Sequence, residues 1–107
     1  MTYLDLIKEI RSIGFPCAYR GFPSPPSIPY TVVVFSHSND MIADNINFVG
    51  VNNYRLELYH TTKHPPSEKL IENKLRELRL PFRKSEFGIE EENLLVVVYE
   101  IQLLGGY

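Results

Sequence analysis

The sequence predicts an α+β domain: an N-terminal helix, then an antiparallel β-sheet with a second helix inserted before the last two strands, both helices on one face. Three observations lead there. Two segments repeat apolar residues at helical spacing, and the segments between and after them alternate or are rich in β-branched residues. The connections between predicted strands are of hairpin length, which favours antiparallel neighbours. The 107 residues fit one domain spanning 1–107. With 44% hydrophobic residues the chain can build a core, which excludes a disordered segment.

The first helix follows from Tyr3, Leu6, Ile7, Ile10 and Ile13, which form one apolar stripe. Thr2 can cap it, with Asp5 in the capping-box position, and Gly14 and Pro16 end it. Cys17 to Arg20 reads as a short strand. Residues 21–29, GFPSPPSIP, hold four prolines and form a stiff loop with Phe22 and Ile28 as anchors. Tyr30 to His37 reads as a strand, Ser38-Asn39-Asp40 as a turn, and Met41 to Val49 as a return strand, interrupted around Ala43-Asp44-Asn45, that Gly50 breaks. Asn53 to Thr61 alternates, with Tyr54, Leu56 and Leu58 on one face and Arg55, Glu57 and Tyr59 on the other.

His64-Pro65-Pro66-Ser67 opens the second helix, whose stripe is Ile71, Leu75 and Leu78, and Pro81 ends it. Phe82 to Ile89 is a further strand, and Glu90 to Asn93 a polar turn. Leu94 to Leu103 is the strongest strand: Leu95, Val97, Tyr99, Ile101 and Leu103 share one face, and Leu94, Val96 and Val98 make the start of the other apolar too. A strand apolar on both sides is central in a packed domain or half-covered by a partner. The expected core is Leu6, Ile7, Ile10, Leu56, Leu58, Ile71, Leu75, Val97 and Ile101.

The chemistry of the chain argues against catalysis. No nucleophile elbow, phosphate loop, dinucleotide fingerprint or zinc-protease motif is present, and no cofactor is expected. Cys17 stands alone, so no intrachain disulfide forms and a reducing compartment suits the chain. Cys17 has no activating motif, and it reads as a small residue at a strand start. His37, Asp40 and Asp44 gather near a predicted turn and could hold a cation, with His60 a further ligand for a small metal-dependent enzyme. Asp and Asn are also what turns use to bond the backbone. His60 and His64 do not share a helix face. The MTYLDLIKEI start lacks the form of a signal peptide, and the apolar runs are too short to span a bilayer.

Eleven basic and thirteen acidic residues leave a net charge of −2, without the basic excess of a duplex-binding protein. Seven tyrosines and six phenylalanines are a sizeable aromatic load. Tyr19, Phe22, Tyr30 and Tyr59 fall on loops or outward faces, where tyrosine suits a protein interface as well as a core. The candidate interface is therefore the proline loop, with Phe22, Ile28 and Tyr30, and the outward strand face of Arg55, Glu57 and Tyr59.

Several phrases together resemble the tail completion, or tail terminator, proteins of long-tailed bacteriophages and prophages. They are Pro16-Cys17-Ala18-Tyr19, Gly21-Phe22-Pro23, Pro29-Tyr30, Ala43-Asp44-Asn45, Tyr54 to Tyr59, Lys63 to Glu68, Glu91-Glu92 and Val98-Tyr99-Glu100-Ile101. The double proline at Pro65-Pro66 departs from that pattern. The resemblance implies a virion protein, assembled in the host cytoplasm, that forms a ring, typically a hexamer. Such a ring caps the tail tube, ends its growth and meets the head-tail connector, while DNA passes through without sequence-specific binding. Another connector or neck protein is the alternative. The run Glu90-Glu91-Glu92 would then line a surface past which DNA slides, or be a solvated turn.

Overall fold

The computed structural model describes residues 1–43 and 46–104, and the side chains of 1–38, 50–103. Helix α1 spans Tyr3–Ser12. The Thr2 hydroxyl accepts the Asp5 amide at 3.2 Å, and the Asp5 carboxylate accepts the Thr2 amide at 3.0 Å. That reciprocal box satisfies two amides which would otherwise lack intrahelical partners. Gly14, at φ +104°, supplies the left-handed residue after the C-cap, a conformation that a side chain would strain.

Strands β1 (Cys17–Tyr19), β2 (Tyr30–Ala43) and β3 (Ile46–His60) precede helix α2 (Pro65–Glu77). Strands β4 (Phe82–Ile89) and β5 (Leu94–Leu104) follow, joined through a 3-10 turn at Glu90–Glu92. They form one sheet in the order β1-β2-β3-β5-β4. The second helix thus precedes the last two strands, as the sequence predicts.

Two features depart from the expectation. The sheet is mixed, because β1 pairs with β2 in parallel, Cys17 opposite Thr31 and Tyr19 opposite Val33. A strand of three residues is only about 10 Å long, so the proline loop can carry the chain back to its start. The Thr31 amide and hydroxyl both bond the Pro16 carbonyl, at 2.8 and 2.7 Å, and fix that return. The second departure is one long hairpin in place of three shorter strands. Ser38, Asn39 and Asp40 are not a turn: they pair with Asn52, Val51 and Gly50. Met41 to Val49 is accordingly no return strand but the outer part of β2 and β3. Register shifts between Phe35 and His37 and between Met41 and Ile42 absorb the irregularity. Among the described residues the pairing of β3 with β5 reaches Val51 and Leu104, and the β2–β3 pairing extends beyond it to Ala43 and Ile46. The molecule measures 50 × 28 × 24 Å.

Both helices pack on one sheet face. Leu6, Ile7 and Ile10 of α1 and Ile71 and Leu75 of α2 enclose a core with Val33, Leu56, Leu58, Val97, Tyr99 and Ile101. All nine expected core residues are buried. An ionic staple ties α2 to β4. Lys84 Nζ lies 2.7 Å from Glu68 Oε1 and 2.8 Å from Glu72 Oε2, and Lys63 Nζ lies 2.9 Å from Glu68 Oε1. The Tyr99 hydroxyl donates to Glu72 at 2.9 Å. Burial pushes the Glu68 and Glu72 carboxyls up, but the lysines outweigh it and hold both below the usual carboxylate value. Among the described residues, no helix is long and apolar enough to cross a membrane.

Candidate protein interface

The face of the sheet opposite the helices carries most of the candidate residues. Strand alternation puts Tyr54, Leu56 and Leu58 into the core, so Arg55, Glu57 and Tyr59 point to the other side. Register then builds rows across four strands. Tyr30 stands opposite Tyr59, Tyr59 opposite Val96, and Val96 opposite Phe87. The next row is Val32, Glu57, Val98 and Ser85, and the third is Val34, Arg55, Glu100 and Arg83. The face therefore grades from aromatic at one end to charged at the other.

Side-chain contacts join the two candidate patches. Phe22 meets the Tyr30 ring edge-on at 5.7 Å, and Tyr30 stacks on Tyr59 at 4.8 Å with 8° between the planes. The Tyr59 hydroxyl donates to Glu57 Oε1 at 2.9 Å, and Arg55 Nε lies 3.5 Å from Glu57 Oε2. Phe22, Tyr30, Tyr59, Glu57 and Arg55 thus form one continuous chain of contacts. Ile28 is half-buried in the proline loop. Glu57 is not freely presented: it is 8% exposed, between the buried Val32 and Val98. Burial, with the Glu57 hydrogen bond and charge, pushes the Tyr59 phenol far above its ordinary value, so it stays a donor. Burial also raises Tyr30, helped by the Glu92 charge, which marks the acidic turn as a neighbour of the aromatic end.

Val32, Val96 and Val98 are buried on this face although both helices pack on the other. Phe87, beside Val96, is 49% exposed. The two-sided apolar pattern of Val96 and Val98 was the available signal for them. Phe87 gave none, because β4 is exposed almost throughout and has no apolar alternation.

The other candidates fall elsewhere. Cys17 is buried in the core beneath α1, its carbonyl accepting Arg11 Nε at 2.9 Å, and burial raises its thiol. His37 is exposed; its ring bonds the neighbouring Ser36 hydroxyl at 2.9 Å, and its carbonyl accepts the Asn53 side-chain amide at 3.2 Å. Asp44 and the Asp40 side chain lie outside the described residues, so a cation there has no geometry to test. Among the described residues, no group of three or more His, Cys, Asp or Glu is placed to hold a metal ion. His60 and His64 do meet, with rings stacked 5.0 Å apart across the strand-to-helix junction. Both are in structural use: His60 Nδ1 accepts the Thr61 amide at 2.9 Å, and His64 caps α2 through the Ser67 amide at 3.3 Å. That cap, with Pro65 at the first helical position, accounts for the double proline.

No protein-family model matches the chain, and no curated protein matches it in sequence. Among solved structures the fold recurs. A chain of the "Virion of native gene transfer agent (GTA) particle" superposes with a TM-score of 0.55 at 12% identity, covering 87% of this chain and 81% of that one. The two chains share a fold over most of their lengths.

Proposed function

We propose that this protein is a structural component of a phage-type particle and not an enzyme: a ring that caps the tail tube, ends its elongation and joins tail to head. The observation that carries this reading is the fold shared with a chain of a gene transfer agent virion. The sheet face supports it. Phe87 is exposed at the end of the row through Tyr30 and Tyr59, and an assembling subunit would cover it. A ring needs a head-to-tail contact in which one patch meets a different patch on the next copy. The stiff proline loop and the aromatic row supply one of the two and lose little entropy on docking.

Electron microscopy of particles made without this protein tests the proposal. Tails of abnormal length, unattached to heads, are the expected result. Tails of normal length that fail to attach would assign the chain to the connector or neck instead. Normal particles would overturn a structural role. Phe22→Ser with Ile28→Ser should leave the far-ultraviolet circular dichroism unchanged and abolish complementation.

A further inference from the structure

At the opposite end of β4 from the acidic turn lies a shallow basic groove. Its floor is Pro81 and Phe82, which line both an open concavity of about 330 Å³ that reaches Arg83 and Gln102, and a second of about 470 Å³ that reaches Arg76 and Arg79. Backbone geometry presents these arginines. Helix α2 closes in a Schellman turn, the Leu80 amide bonding the Leu75 carbonyl at 2.9 Å and the Arg79 amide the Arg76 carbonyl at 3.0 Å. Arg79 occupies the left-handed position usually given to glycine, at φ +58°. Arg76 lies over the Phe82 ring, 5.6 Å from its centroid. Arg76 has only a long 3.8 Å contact to Glu72, and Arg79 and Arg83 have no ion pair among the described residues. One carboxylate, Glu100, also lines the first concavity, opposite Arg83 in register. The groove keeps an excess of positive charge.

We infer that this groove is the receiving half of a contact between copies of this chain, and that it takes the acidic turn Glu90–Glu92 of the neighbouring copy. The inference rests on the ring reading proposed above and supplies its second patch. Three facts select the occupant. Glu90, Glu91 and Glu92 are all exposed and form no ion pair among the described residues. The turn closes the β4–β5 hairpin two residue pairs beyond Phe87 and Val96, at the aromatic end of the sheet face, so charge and apolar surface would dock together. Groove and turn sit at opposite ends of the eight-residue β4, about 23 Å apart at strand rise, so no copy can fill its own groove. Opposite ends with opposite charge are the geometry of a head-to-tail contact, and β4 is an edge strand that a neighbour can lie along.

Charge reversal on the full-length chain tests this. One variant carries Arg79→Glu and Arg83→Glu, and the other carries Glu90→Lys, Glu91→Lys and Glu92→Lys. All five positions are exposed, and circular dichroism checks the fold. In sedimentation, wild type should associate, less so at high salt. Each variant alone should associate about a hundredfold more weakly, since it faces its own like charge. An equimolar mixture should associate again, because each groove then meets a turn of opposite sign in alternation. A mixture that stays monomeric overturns the contact. Wild-type rings indifferent to both variants would overturn the contact and leave the ring reading standing, whereas a wild type monomeric at every concentration would overturn both. If the arginine variant instead loses retention of duplex DNA with unchanged sedimentation, the groove faces nucleic acid and the contact is refuted.

Discussion

Ile10→Ala probes the construction of the helix-bearing face most directly. Ile10 is fully buried between α1 and the sheet, in one cluster with Val33, Leu56 and Leu75. The change removes three carbons, worth about 0.8 kcal/mol each or about 2.4 kcal/mol in lost transfer free energy. The cavity left in a close-packed core adds to this, so the expected cost is about 3–4 kcal/mol. Leu4→Ala is the matched control: it lies on the same helix but is 56% exposed, and should cost under about 0.5 kcal/mol. Ile→Ala gains slightly more helix propensity than Leu→Ala, so the difference between the two variants understates the cost of the cavity. Urea denaturation followed by circular dichroism should show a lower midpoint for Ile10→Ala at unchanged slope, and its melting temperature should fall by roughly 12 °C or more. Equal midpoints for the two variants would show that α1 does not present this stripe to the sheet.

Three further outcomes follow from the polar contacts. Glu68 and Glu72 titrate below their ordinary 4.5, so the stability they contribute is fully present above about pH 4.5 and drains away as pH falls through the folded-state values. Glu68→Gln with Glu72→Gln should flatten the acid limb of the stability profile, and an unaltered limb would refute the staple. Lys84→Met leaves Glu68, whose Oε2 is already buried without a partner among the described residues, to Lys63 alone, and should cost about 1–3 kcal/mol in a thermal melt, since Lys84 is partly exposed. A neutral outcome would show that Lys63 alone suffices. Tyr59→Phe keeps the stack on Tyr30 but removes the donor to Glu57, and should cost about 1 kcal/mol with the ring contacts preserved; chemical denaturation measures it.

The parts visible in the sequence are those in which one local rule dominates. The box at Thr2 and Asp5, the stripe through Ile10 and the alternation from Tyr54 to Leu58 each follow from spacing alone. The middle of the chain did not obey such a rule. Ser38, Asn39 and Asp40 are turn-forming residues, yet they stand within β2, and only the pairing with Asn52, Val51 and Gly50 decides between turn and strand. The parallel pairing of β1 hinges on a carbonyl at Pro16 receiving two bonds from Thr31, a long-range contact with no periodic signature. Helix α2 ends at its C-cap Leu78, ahead of the Pro81 at which the sequence stops it, because the left-handed residue that closes it is Arg79 and not a glycine. Of the candidate interface, the outward facing of Arg55 and Tyr59 was readable from alternation, but the continuity from Phe22 to Arg55 depends on a loop path that no pattern encodes.

The two sheet faces divide the work of the molecule, and β5 is where the division is made. Its inward residues Val97, Tyr99, Ile101 and Leu103 belong to the core under the helices, while Val96 and Val98, between them, are buried on the other face. Because side chains alternate with period two, a slip of one residue in the pairing of β5 with β3 would exchange the two sets at once. It would put Val96 and Val98 under the helices and turn Tyr99 outward, away from Glu72. Stability therefore enforces the register, and the register in turn sets out the row from Tyr30 to Phe87. Substitutions confined to the outer row leave the core residues in place, whereas nothing that shifts β5 can spare either face. That separability is what a subunit needs if it is to fold first as a monomer and assemble afterwards.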